Sequence, residues 1–201
     1  MRDVSKRAFD VVLSGILLAL TFPFLLLLAA WVRIDSRGPA LYRGTRVGRG
    51  GTLFRMLKFR TMVVDADKLG ASSTPDDDPR LTAAGRILRR YKLDELPQLM
   101  NVFRGEMSFV GPRPQVQWAV DRYTPQERAL LSVRPGITDW ASIKFHNEGE
   151  ILRSSTDPDG DYLRLIEPEK TRLGLEYVRR HSLSTDVRII LQTVRVILTG
   201  E

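Results

Sequence analysis

Between Asp10 and Arg33 the chain runs 22 residues without a formal charge, VVLSGILLALTFPFLLLLAAWV, and no other stretch constrains its fold as strongly. A straight helix rises about 1.5 Å per residue, so this segment is long enough to reach across a hydrocarbon core of about 30 Å. Three arrangements compete: a cleaved signal peptide, a spanning helix and a re-entrant hairpin. The first is disfavoured because the apolar run is too long and RIDSRGPALYRGTRVGRG offers no small-residue cleavage site. Arg2, Lys6 and Arg7 precede the segment, and Arg33, Arg37, Arg43, Arg46 and Arg49 follow it. Cationic flanks favour the cytoplasmic side, so both ends favour the same side. Pro23 removes a backbone donor and frees the carbonyl of Ala19, a defect that kinks helices. Two arms of about ten to twelve residues would each reach about 15 to 18 Å. Prolines also occur in ordinary spans, so charge and proline leave re-entry and a kinked span both open.

With 201 residues the chain supports one substantial core plus attachments rather than two complete domains. Lys+Arg of 31 against Asp+Glu of 24, a net charge of +7, favours anionic partners: nucleic acid, an acidic membrane surface or phosphorylated substrates. Eight basic residues and one acid fall in residues 33–60, whereas residues 65–78 hold five acids and one lysine, which predicts a basic surface followed by an acidic loop. A nucleic-acid site would interleave exposed aromatics with those bases. Tyr42, Phe54 and Phe59 are explained more simply by strand packing, so no nucleic acid is expected. Cysteine is absent, which excludes disulfides and thiolate metal sites.

ALYRGTRVGRGGTLFRMLKFRTM reads as strand, turn, strand, with Gly48, Gly50 and Gly51 in the turn. A phosphate loop is the weaker reading, since no GK[ST] ending or helix follows. Residues 68–80 predict a polar loop in which Asp76, Asp77 and Asp78 are more simply solvated than metal-bound. LTAAGRILRRY predicts a helix capped by Thr82, with Leu81, Ala84, Ile87, Leu88 and Tyr91 on or near one face. PQERALLSV predicts a further helix, RPGITDW a turn and ASIKF a strand. Residues 168–180 are expected to be helical. In the last segment Val187, Ile190, Leu191, Val194, Ile197 and Leu198 line one helical face, a stripe that faces either the core or a membrane surface.

YKLDELPQLM sets Asp94 beside Glu95 just ahead of a proline. A residue before proline avoids the α region and proline suits a first helical position. This predicts Leu96 as cap and a helix from Pro97 to about Phe103, ended by Gly105. Asp94 is poorly used as a cap, because its third residue on is Pro97, which has no N–H. The helix dipole and the nearby arginines are expected to keep both acids charged. A charged Asp can attack phosphorus and a second acid can hold Mg²⁺, although such pairs at helix starts also serve merely as charge complement. Downstream, GPRP fixes Arg113 on a rigid turn from which it can fork two phosphate oxygens.

KRAFDVVLSG before an apolar segment with a proline, then DSRGPALYRGTRVGRGGTLFRMLKFRTM, DPRLTAAGRILRRYKLDELPQLMNVFRGEMSFVGPRP and RPGIT resemble, in order, the bacterial sugar transferase family, the monotopic phosphoglycosyl transferases. The resemblance implies transfer of a phosphosugar from a UDP-sugar to polyprenyl phosphate, usually undecaprenyl phosphate, with release of UMP and Mg²⁺ as cofactor. It makes Asp94 the nucleophile and Glu95 the Mg²⁺-binding acid. Arg89 and Arg113 match phosphate-binding arginines, and Lys58 and Arg60, in the KFR motif, are by the same resemblance expected to bind substrate phosphate. Pro23 matches the proline that turns the first helix into a re-entrant one.

The implied fold is mixed α/β and helix-rich: a re-entrant membrane anchor over residues 1–36, and a cytoplasmic catalytic domain over residues 37–201 with a short β-hairpin and amphipathic interfacial helices. The implied location is the cytoplasmic face of a bacterial inner membrane, with membrane lipid as a partner and a homodimer as one expected assembly. Two departures stand out. Phe22 precedes Pro23 where the family often has serine, and Asp139 follows RPGIT where glycine is common. The sugar and the glycoconjugate pathway stay open. Direct transfer in a ternary complex and a non-catalytic binder of anionic lipid are the competing expectations.

Overall fold

The computed structural model describes residues 2–66, Leu69 and 73–200, so part of the expected 68–80 loop lies outside the described residues. The architecture is mixed α/β and helix-rich. Helix α1 (Arg2–Asp35) is followed by a hairpin of β1 (Leu41–Val47) and β2 (Leu53–Phe59), then α2 (Ala83–Arg90) and α3 (Gln98–Arg104). Next come β3 (Ser108–Val110), α4 (Gln117–Asp121), β4 (Gly136–Thr138), α5 (Trp140–Lys144), α6 (Glu148–Ile151), α7 (Pro158–Leu165), α8 (Glu167–Arg180) and α9 (Leu183–Thr199).

Strands β1 and β2 pair antiparallel from Leu41 opposite Phe59 to Val47 opposite Leu53. Gly50 and Gly51 turn the chain at φ of 65° and 83°, so the glycines serve a hairpin and not a phosphate loop. The expected turn at RPGITDW contains β4, which runs parallel to β3, and ASIKF is helical. The helix wins because Asp139 accepts from Ser142 N at 2.6 Å and Ser142 Oγ at 2.7 Å, capping α5. The segment at 127–132 is 3₁₀ rather than α, preceded by a turn in which Thr124 N donates to Glu127 (2.8 Å) and Glu127 N to Thr124 Oγ1 (3.3 Å). Thr82 caps α2 as expected, accepting from Gly85 N at 3.0 Å. Ala84 and Leu88 face the core, while Ile87 and Tyr91 are exposed.

One hydrophobic cluster joins Phe54 and Met56 of β2 to Leu99 and Val102 of α3, Val110, Tyr177 and Ile189, with Phe9, Leu13 and Leu17 of α1 packed on it. A second joins Leu28 and Val32 of α1 to Phe59 and Leu88. Where β3 and β4 meet, a Cβ on Gly136 would lie 2.1 Å from Gly111 N, so only glycine lets these backbones touch. Gly136→Ala is therefore expected to destabilise the protein by about 3 kcal/mol through overpacking against backbone, measured as a lowered thermal midpoint in detergent.

Helix α1 is continuous, with Pro23 inside it. Thr21 Oγ1 donates to Leu17 O at 2.6 Å, not to the Ala19 carbonyl that Pro23 leaves without its usual donor. Its two ends are anchored to the same body. Near the start, Lys6 pairs with Asp186 at 2.6 Å, and buried Asp10 accepts from Ser108 Oγ (3.1 Å) and Phe109 N (3.2 Å). Near the end, Asp35 accepts from Ala84 N at 3.1 Å. Between these anchors Leu20, Phe22, Leu26 and Leu27 are exposed. On α9 the inward residues are Asp186, Ile189 and, in part, Ile190, whereas Val187, Leu191, Val194, Ile197 and Leu198 are exposed. The stripe thus faces mostly outward rather than into the core.

Candidate active site

Asp94 and Glu95 sit in a 3₁₀ turn, Leu93–Glu95, that leads into α3. Lys92 enters this turn in the left-handed region at φ 55°. Leu96 and Pro97 are both helical, so Leu96 does not cap an extended entry as the pre-proline rule predicts. The hydrogen bonds from Leu96 N to Leu93 O (3.3 Å) and Leu99 N to Leu96 O (3.1 Å) carry the turn straight into the helix and outweigh that local preference. Gly105 ends α3 at φ 87° as expected.

The two acids have different surroundings. Lys58 Nζ, on β2, donates to Glu95 Oε1 at 2.7 Å and stands 3.9 Å from Asp94 Oδ2. Arg113 Nη2 donates to the same Glu95 oxygen at 2.8 Å. Both cations therefore fall on Oε1, and neither engages Oε2. Burial by itself would raise Glu95, but Arg113 and Lys58 overcome it and hold the carboxyl well below the usual range. Asp94 is pushed upward, first by burial and also by the neighbouring Glu95 charge, with Lys58 opposing. Burial outweighs the surrounding charge at Asp94 but not at Glu95, because Asp94 receives no short bond from a cation while losing most of its water.

Arg113 is held between Pro112 and Pro114 by the contact of β3 with β4, where Gly111 N donates to Thr138 O (3.1 Å) and Gly136 N to Pro112 O (3.1 Å). Its guanidinium is raised in pKa chiefly by Glu95. Arg89 lies within electrostatic reach of Asp94 and donates to Thr74 O at 3.1 Å. Arg60 is placed differently from its expected phosphate-binding position. It is buried and donates to the carbonyls of Ser36 (2.7 Å) and Arg37, tying down the end of α1. Its position two residues from Lys58 in a strand puts both on one face, but the strand ends at Phe59 and that relation lapses.

Sequence reasoning missed a cavity beside Arg113, lined among others by Asp139, Ser142, Tyr162 and Lys170. Only Asp139 carried a signal, as a departure from a motif; the others come from elements far apart in sequence. Burial raises Asp139 while Ser142 opposes. The acidic run divides: Asp78 is buried and pairs with Arg80 at 2.6 Å, against the expectation of a solvated carboxylate, whereas Asp76 and Asp77 are exposed, Asp77 accepting from Ser154 N (3.2 Å). Among the described residues no group of three or more His, Asp or Glu is assembled for a metal.

Compared with known proteins, residues 1–200 match the bacterial sugar transferase family. The chain belongs to that family. By family it is therefore a transferase. It is 40% identical to a UDP-glucose:undecaprenyl-phosphate glucose-1-phosphate transferase of Caulobacter vibrioides, across 99% of this chain and 72% of that protein. It is 35% identical to a UDP-N-acetylgalactosamine-undecaprenyl-phosphate N-acetylgalactosaminephosphotransferase of Aeromonas hydrophila, across 97% of this chain and 44% of that protein. A third relative, the exopolysaccharide production protein PSS of Rhizobium leguminosarum, is 38% identical across 95% of this chain and 94% of its own length. The chain thus spans less than half of the Aeromonas enzyme but nearly all of the Rhizobium protein.

Proposed function

We propose that this chain transfers a phosphosugar from a UDP-sugar to a polyprenyl phosphate, undecaprenyl phosphate in particular, as a membrane step of exopolysaccharide or related glycan synthesis. The observation that carries the reading is the asymmetry of the acid pair: one oxygen of Glu95 takes two cations, while adjacent Asp94 is buried and lacks a short ion pair. An anion held out of water and not neutralised is a stronger nucleophile than a paired one.

In the first step an oxygen of ionised Asp94 attacks the β-phosphorus of the UDP-sugar and the bond from that phosphorus to the bridging oxygen breaks. UMP departs with that oxygen and its electrons, leaving the phosphosugar esterified to Asp94. In the second step an oxygen of the polyprenyl phosphate attacks the same phosphorus, releasing the Asp94 carboxylate and the polyprenyl-diphosphate-sugar. Lys58 and Arg113 neutralise phosphate charge, and Arg89 serves from the α2 side. The cavity beside Arg113 takes the polar groups of the donor.

Glu95 Oε2, directed at by neither cation, suits Mg²⁺. Such an ion needs only one or two carboxylates when substrate phosphates and water complete its shell, which fits a pair of acids with no third ligand assembled among the described residues. When bound it would supply charge neutralisation at the diphosphate.

Helix α1 supports a membrane placement. Both ends of this apolar helix are tied to one body, so they share a side of the bilayer, which supports re-entry at the exposed middle over a full crossing. With cationic flanks that side is cytoplasmic. On this reading residues 1–36 are the anchor and residues 37–201 the catalytic domain, with the outward stripe of α9 resting on the interface.

The decisive experiment mixes purified protein with a panel of UDP-sugars and no lipid acceptor. One sugar is expected to give UMP stoichiometric with enzyme. UMP that appears only after polyprenyl phosphate is added would favour direct transfer in a ternary complex. Because burial raises Asp94, the acidic limb of the UMP burst rate is expected above pH ~4, the ordinary range of an aspartate. A limb at or below that range would contradict the raised carboxyl.

A further inference from the structure

Arg7, Arg49 and Arg134 gather at the N-terminal end of α1, and the transfer chemistry uses none of them. Arg7 donates to Val102 O (2.6 Å) and Phe103 O (2.8 Å), the last carbonyls of α3. Arg134 Nε donates to Gly105 O at 2.9 Å. A Cβ on Gly105 would lie 3.1 Å from Arg7 Nη2, so the two guanidinium groups flank one glycine. Arg49 pairs with Asp3 at 2.9 Å, with its side chain 45% exposed. Asp3 is lowered first by its hydrogen bond from Arg49 and also by Arg134, and Arg7 lines the same groove as these two arginines. Three cations against one carboxylate leave the cluster positive.

Between these residues runs an open groove floored by Val4, Ala8, Val11 and Val12. The apolar face continues up α1 at four-residue spacing through Ile16 and Leu20, 51% and 73% exposed. Spacing by four keeps side chains on one helical face. The result is a cationic rim at one end of a long exposed apolar track.

We propose that this groove binds one anionic glycerophospholipid, its phosphate between Arg49 and Arg134 and one acyl chain along Val12, Ile16 and Leu20. Guanidinium groups fork phosphate oxygens, and the apolar floor asks for a hydrocarbon tail. A free phosphate would satisfy only the rim. The site is separate from the carboxylates: they precede α3, whereas Arg7 holds its far end, about 10 Å along the helix. Its effect is to fix the depth of the first turns of α1 in an anionic leaflet. The inference rests on the reading that α1 lies in the bilayer.

The test titrates the full chain, in neutral detergent, with phosphatidylglycerol or phosphatidylcholine and counts bound lipid by native mass spectrometry. One phosphatidylglycerol is expected to bind about tenfold more tightly than phosphatidylcholine. Arg49→Gln and Arg134→Gln should each remove most of that preference while leaving UMP release unchanged. Arg134 also holds Gly105, so Arg49→Gln decides the matter if the other variant folds poorly. Equal affinity for the two lipids, an unaltered preference in Arg49→Gln, or competition by inorganic phosphate as effective as by the lipid overturns the assignment. Flotation with phosphatidylcholine vesicles reads membrane insertion separately, and UMP release reads the chemistry, so a failure of either reading is distinguishable from a failure of headgroup selection.

Discussion

Asp94→Asn is expected to reduce UMP release by at least about a thousandfold, with no phosphosugar retained on the protein. The amide keeps the shape of the side chain and its place in the 3₁₀ turn but has no anionic oxygen to attack phosphorus. In the wild-type protein, mass spectrometry after mixing with donor alone should find one phosphosugar on the peptide that carries Asp94. Residual turnover of a few per cent or more, roughly the loss typical of a weakened ligand rather than a missing nucleophile, would instead assign both acids to binding. Folding is checked by the thermal midpoint. Since burial raises Asp94, removing its charge should leave that midpoint unchanged or higher near neutral pH.

Glu95→Gln should lower both activity and stability. Its carboxylate is the common partner of Lys58 and Arg113, and the neutral amide leaves those two cations facing each other without compensation. Breaking one partner of a buried pair costs about 3–5 kcal/mol; with Arg113 partly exposed, about 3 kcal/mol is expected in thermal unfolding, and about a hundredfold or more in UMP release. The pH dependence has a definite sign. A carboxyl lowered in the folded state contributes stability above its unfolded pKa, about 4.3, and loses it as pH falls through the folded value. The gap between wild type and Glu95→Gln should therefore be full at neutral pH and shrink below about pH 4. Adding Lys58→Met to Glu95→Gln should restore part of the loss, because it removes one of the stranded charges. Additive losses in the double variant would mean that the pair is not coupled.

Much of the local structure was legible because it depends on neighbours in the chain. Gly50 and Gly51 announce a hairpin turn, Thr82 a helix start and Gly105 a helix end, each through backbone geometry confined to a few residues. Three short-range readings were overruled. Leu96 is helical despite Pro97, residues 141–145 are mostly helical despite a strand-like composition, and β4 occupies an expected turn. In each case a hydrogen bond or strand partner supplies what local preference opposed. The α9 stripe shows the converse. Its periodicity identified the helix correctly, but periodicity does not say what the apolar face meets, and most of it is exposed.

By itself the sequence determined the long apolar helix with cations at both ends, the hairpin, and the adjacency of Asp94 and Glu95, because all of these depend on covalent order and residue type. Only the tertiary structure decided that both ends of α1 rest on one body, that Arg60 closes the end of that helix, and that Lys58 and Arg113 converge on Glu95 and leave Asp94 the less compensated acid. The reason is physical: Coulomb and desolvation effects depend on distances and excluded water, and these arise when β2, the turn before α3 and the loop after β3 are packed together.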